Sequence, residues 1–140
     1  MKCNSVHRIK LANLTLLLLS FLPLVASASE SCDEKLALVE LDNSAHRLLL
    51  YSSLLESGLE GENKKRVIAR ARGDVLVGRD LLIQTTPSLA KKYQKVQYDS
   101  LPIAASLASE CVDCSESGRS FLRASARWES VINVNGAASE

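Results

Sequence analysis

Apolar residues recur along this chain every three or four positions, the spacing of one helix face rather than the alternation of a strand. Leu38, Leu41, Ala45, Leu48, Ser52 and Leu55 form the first stripe. The acids Asp33 and Glu34 ahead of it favour a helix N-terminus, and Ser57-Gly58 supplies a stop. Ile68, Ala71, Val75, Gly78, Leu82 and Thr85 make a second stripe. It closes at Thr86-Pro87, where Pro87 suits the first position of a following helix. Leu89, Tyr93, Val96, Ser100, Ile103 and Leu107 make a third stripe, and Cys114, Gly118, Phe121, Ser125, Trp128 and Ile132 a fourth. Stripes of one period joined by short breaks predict an all-α fold, a small antiparallel helical bundle of four to five helices.

Pro102 interrupts the third stripe. Inside a helix it removes a hydrogen bond and clashes with the preceding turn, at about 3 kcal/mol. The third element is therefore expected to split, into one piece near 87–98 and another near 101–112 that Asp99 or Ser100 caps. The polar stretch 113–118 delays the last helix to near Ser117. The second stripe carries little side-chain volume at Ala69, Ala71, Gly73 and Gly78, although each helical glycine costs about 1 kcal/mol against alanine. Two explanations stand: close approach of a neighbouring helix, or a groove left open for an apolar ligand or a partner's side chain.

The first residues change the domain count. Lys2, Arg8 and Lys10 precede an apolar run over 11–22, Pro23 ends any helix there, and Ala26-Ser27-Ala28 offers a small-x-small cleavage site. The run is about a dozen residues, short of the roughly 20 that span a bilayer. Residues 1–28 thus read as a cleaved signal peptide, 29–132 as the helical bundle domain and 133–140 as a flexible C-terminal tail. No transmembrane segment is expected in the mature chain. Export to the periplasm is favoured, with secretion from a bacterial or a eukaryotic cell as the alternative, since the mature part lacks a glycosylation sequon and is not disulfide-dense.

Cleavage also resets the charge. It removes three of 17 basic residues and none of 16 acids, so 112 residues remain with a formal charge of −2. Such a balance gives no global field for a polyanion, and nucleic acid is not expected as a partner. The local pattern is more pointed. Lys64, Lys65, Arg66, Arg70 and Arg72 crowd the start of the second helix, where the macrodipole disfavours cations. Arg119, Arg123 and Arg127 form a ridge at i, i+4, i+8. Something acidic should offset them: Glu34, Glu40, Asp42 or Glu56 within the chain, or an acidic protein surface or lipid head group outside it. Arg66, Arg70, Arg119, Arg123 and Arg127 are the candidate partner-binding residues.

Cys32, Cys111 and Cys114 survive cleavage as disulfide candidates. A bridge from Cys32 to Cys111 or Cys114 becomes possible if the chain reverses near Ser100, and it closes a loop of about 80 residues worth around 4 kcal/mol. The alternative, Cys111 to Cys114, closes a tiny loop that stabilises little. Cys111-Val112-Asp113-Cys114 has thiol–disulfide spacing, but no strand precedes it and Asp113 disfavours a thiolate. Ser115 stands where covalent haem attachment needs histidine, and no cofactor or metal site is expected. Asp42 and His46 can meet on one helix face. With no Gly-x-Ser-x-Gly, His-Glu-x-x-His or phosphate-binding loop, they read as an ion pair rather than a catalytic dyad. The expectation is an exported, non-enzymatic helical protein that binds a partner protein, in an inhibitor, immunity-type, adaptor or chaperone role. The alternative is a small thiol–disulfide or ligand- or metal-binding protein using Cys111 and Cys114.

Overall fold

The computed structural model describes the backbone of residues 22–135 and the side chains of residues 32–135. The leader's Lys2, Arg8 and Lys10, most of its apolar run, Cys3 and the tail from Gly136 lie outside the described residues. Among the described residues there are four α-helices: α1 (Leu22–Glu56), α2 (Gly61–Thr85), α3 (Pro87–Tyr93) and α4 (Glu116–Val134). Two short 3-10 helices, Tyr98–Ser100 and Ala104–Ser109, lie between α3 and α4, and the described residues contain no strand. The fold is all-α. The chain divides into two compact units, Met1–Leu36 and Ala37–Glu140. In the first, the described backbone is helical from Leu22. The second is the bundle.

The acids expected at a helix N-terminus are interior instead. The described backbone is already helical at Pro23. Residues 26–28 are helical, and Asp33 and Glu34 lie inside α1 rather than at its N-terminus.

The other boundaries follow local chemistry. Gly58 adopts φ +85°, which a residue without Cβ takes without strain. Its N–H donates to the Leu55 carbonyl at 3.1 Å, and the Leu59 N–H reaches the Leu54 carbonyl at 3.3 Å. That pair of bonds is a Schellman closure of α1. Thr86 is extended, as the residue before proline prefers, and Pro87 opens α3. The Ser115 hydroxyl accepts from the Gly118 N–H at 3.0 Å and caps α4, whose first turn carries Glu116.

Side-chain pairings fix the directions of the long helices. The Ser117 hydroxyl donates to the Asp42 carboxylate, and ten residues further along α4 Arg127 pairs with Glu56. Within the bundle α1 and α4 therefore run parallel. The turn at 57–60 sends α2 back between these directions, antiparallel to both. Leu41, Leu48 and Leu55 of α1, Ala71 and Leu82 of α2, and Phe121 and Trp128 of α4 are buried in one core. Arg47 clamps α1 to α2, donating to both Asp74 oxygens at 2.9–3.0 Å and to Glu40 at 2.6 Å. Asp74, first, and Glu40 hold the Arg47 guanidinium even more firmly protonated than usual.

At Gly78 a side chain of α4 lies directly against α2. A Cβ there would fall on the edge of the fully buried Phe121 ring. A Cβ at Gly118 would lie 2.9 Å from Leu82 Cδ1. Close approach thus accounts for Gly78. It does not account for Ala69 and Gly73, which are exposed. The third stripe also breaks up: Leu89 and Leu107 are buried, while Val96, Ser100 and Ile103 face solvent. Leu101 and Ile103, on either side of Pro102, are extended at ψ 140° and 145°. The pieces expected near 87–98 and 101–112 are accordingly shorter, a helix of seven residues and a 3-10 helix of six.

Adding a methyl at two α2 glycines should have opposite effects. Gly78→Ala overpacks a ring that has nowhere to go and should destabilise by about 1–3 kcal/mol. Gly73→Ala meets nothing within 4 Å and should stabilise by up to about 1 kcal/mol. Urea melts of the two variants check both signs.

Candidate functional site

The arginine ridge of α4 is neutralised within the molecule. Arg119 donates to the Cys114 carbonyl at 2.6 Å and to Glu116 at 3.1 Å. Arg123 reaches Glu116 at 3.3 Å and the Ser120 hydroxyl at 3.2 Å. Arg127 crosses to Glu56 on α1 at 2.9 Å. Arg119, with Arg123 behind it, holds the Glu116 carboxyl below its ordinary range. Arg123 and Arg127 flank a surface cavity of about 380 Å³ that His46 also lines, over Ala45, Leu49 and Ala124.

The basic start of α2 is different. Arg66 has only Glu62, at 3.9 Å with both side chains exposed. Lys64, Lys65, Arg70 and Arg72 make no ion pair among the described residues. Lys65, Ala69, Arg72 and Leu76 fall on one face at helical spacing. The small, exposed Ala69 leaves the two cations without a bulky neighbour between them.

His46 and Asp42 share a helix face but do not pair through the carboxylate. The imidazole Nδ1–H donates to the Asp42 backbone carbonyl at 2.7 Å. The Asp42 carboxylate is engaged instead by the Ser117 hydroxyl at 3.0 Å.

Cys111 and Cys114 are bonded to each other, with α-carbons 5.3 Å apart. The expected staple from Cys32 to either of them is therefore not formed. A tight turn over 111–114 holds the two α-carbons within the distance a disulfide spans. The Thr86 hydroxyl lies 3.9 Å from both sulfurs. Asp113 turns away from them: its carboxylate accepts from the Ser88 N–H at 3.0 Å and from the Ser88 hydroxyl, which lowers its pKa. Cys114 is 5% exposed and Cys111 is half-buried.

A second cavity, of about 430 Å³, opens between α2 and α4. Val75, Leu76, Ile103, Ala105, Trp128 and Ile132 wall it, Ser125 lies in its floor, and Arg72, Glu129 and Asn133 are its other polar lining residues. Ser125 Oγ is buried without a hydrogen-bond partner. The groove expected beside Ala69, Ala71, Gly73 and Gly78 is a different place: none of the four lines this cleft, and Ile103, expected on a core stripe, is one of its walls. Arg79 was missed altogether. It is 6% exposed, donates to Asp80 at 3.2 Å and lies over the Tyr98 ring, yet its Nη2 has no partner. Its place in the register of Val75 and Leu82, on the inner side of α2, was the available signal.

No protein-family model, curated protein or solved structure matches the chain. Among the described residues no three of His, Cys, Asp and Glu gather as a metal site, and no helix is long and apolar enough to cross a membrane.

The carboxylates set the response to acid. Arg47 lowers the pKa of Glu40, Lys92 that of Glu110, Ser88 that of Asp113 and Arg119 that of Glu116. Each contributes stability above its unfolded pKa and loses it as pH falls through the depressed folded value. Thermal melts should thus stay level from neutral pH down to about 5 and fall progressively below about pH 4. Asp113→Asn should flatten that decline without removing it.

Proposed function

We propose that the chain is an exported, non-enzymatic helical protein that binds an acidic surface of a partner protein through the first half of α2. The supporting observation is the contrast between two cationic sets. All three ridge arginines have acidic partners within the bundle, whereas Lys64, Lys65, Arg70 and Arg72 have none among the described residues. Lys64 and Lys65, close to the start of α2, are also opposed by the helix dipole, and an acidic partner would relieve them as it pairs with Arg70 and Arg72. Arg119, Arg123 and Arg127, already paired, are not part of the proposed contact. The leader reading of residues 1–28 supports export, and the exported form is then expected to begin at Ser29.

A second reading retains one specific observation in its favour. The Cys111–Cys114 bridge sits just ahead of the α4 N-terminus, with Arg119 bonded to the Cys114 carbonyl. Positive potential there favours a thiolate once the bridge is reduced.

Capture of extracytoplasmic proteins by the tagged mature chain, with mass-spectrometric identification, separates the two. Lys65→Glu with Arg70→Glu should weaken capture of an acidic partner about tenfold, a loss near 1.4 kcal/mol. High salt should do the same. Arg123→Glu should leave capture unchanged. If the double reversal has no effect, or if Cys111→Ser with Cys114→Ser abolishes capture, the α2 surface is not the contact.

A further inference from the structure

The α2/α4 cleft leaves apolar surface in water that the fold had the means to cover. Leu76 and Ile103 on its walls are 41% and 59% exposed. Its volume of about 430 Å³ falls among small-ligand sites, roughly 300–1,000 Å³. Its α2 wall runs only from Arg72 to Leu76, about 6 Å of helix axis. That is shorter than the i to i+7 reach a docking helix uses.

The two charges on the lining decide the class of ligand. Arg72 and Glu129 both lack ion-pair partners among the described residues. A purely anionic ligand would gain Arg72 and be opposed by Glu129, and a purely cationic one would meet the reverse. A head group carrying both signs satisfies both. Apart from Ser125 and Asn133, the remaining lining is aliphatic or Trp128, and suits an alkyl chain.

We infer that this cleft binds a single-chain zwitterionic amphiphile, its tail against Trp128 and Ile132, its anionic group at Arg72 and its ammonium at Glu129. The site is separate from the Lys65 and Arg70 contact, so either can fail without the other.

Trp128 is the only tryptophan in the chain, and its emission reports on the cleft directly. The full mature protein is titrated, below micelle-forming concentrations, with dodecylphosphocholine, dodecanoate, dodecyltrimethylammonium and dodecyl maltoside. Saturable binding of dodecylphosphocholine is expected, with each singly charged probe about fivefold weaker. Arg72→Gln should weaken phosphocholine binding about fivefold and turn the preference toward the ammonium probe; Glu129→Gln should turn it toward dodecanoate. Ala105→Leu fills the cleft and should remove binding of all four. Ile103→Asp, at an exposed wall position, should do so without burdening the fold. The inference is overturned by equal affinity for every head group, by binding that survives Ile103→Asp, or by no saturable change.

Discussion

The contact between Gly78 and Phe121 governs how the rest of the bundle is arranged. With hydrogen in place of a side chain, α2 lets the aromatic edge of α4 lie on its backbone. Leu82 and Gly118 repeat the arrangement one turn further along. Both contacts are at the same end of the antiparallel pair. Toward the other end the lining residues are Arg72, Val75, Trp128 and Ile132; Gly73 there has nothing within 4 Å, and the cleft opens. One tight contact therefore closes the core at one end and leaves a cavity at the other. This is the expected outcome for rigid helices, because interiors pack densely where shapes match and leave voids where they do not.

The helix count and the core stripes were legible because each is a local, repetitive signal. Five of the six fourth-stripe positions, Cys114 through Trp128, are buried, since nothing in that segment opposes the helical period. The third stripe failed at Pro102. A proline in the register of a helix leaves the apolar spacing intact while removing the backbone that would use it. Ile103 consequently became a wall of the cleft instead of a core residue. The cleft itself could not be read from the chain, because its lining comes from three segments whose relative placement only the fold decides.

Charge shows the same limit. Spacing placed Arg119, Arg123 and Arg127 on one ridge, and that ridge exists. What spacing did not convey is that Glu116 would serve two of them and that Glu56, 71 positions away, would serve the third. The α2 cations had the same appearance in sequence and a different fate. Arg79 carries the converse lesson: one charge inside an apolar register was overlooked, and it is buried beside Tyr98.

The parallel course of α1 and α4 bears on how the molecule can be handled. Asn133, in the last turn of α4, lines the cleft, so a group attached at that end of the helix starts beside the opening. The bundle enters α1 beside Ser117, at the far end of α4. Immobilisation through a residue near Ser117, about 24 Å along the α4 axis from Asn133, therefore keeps a bulky support away from the mouth of the cleft.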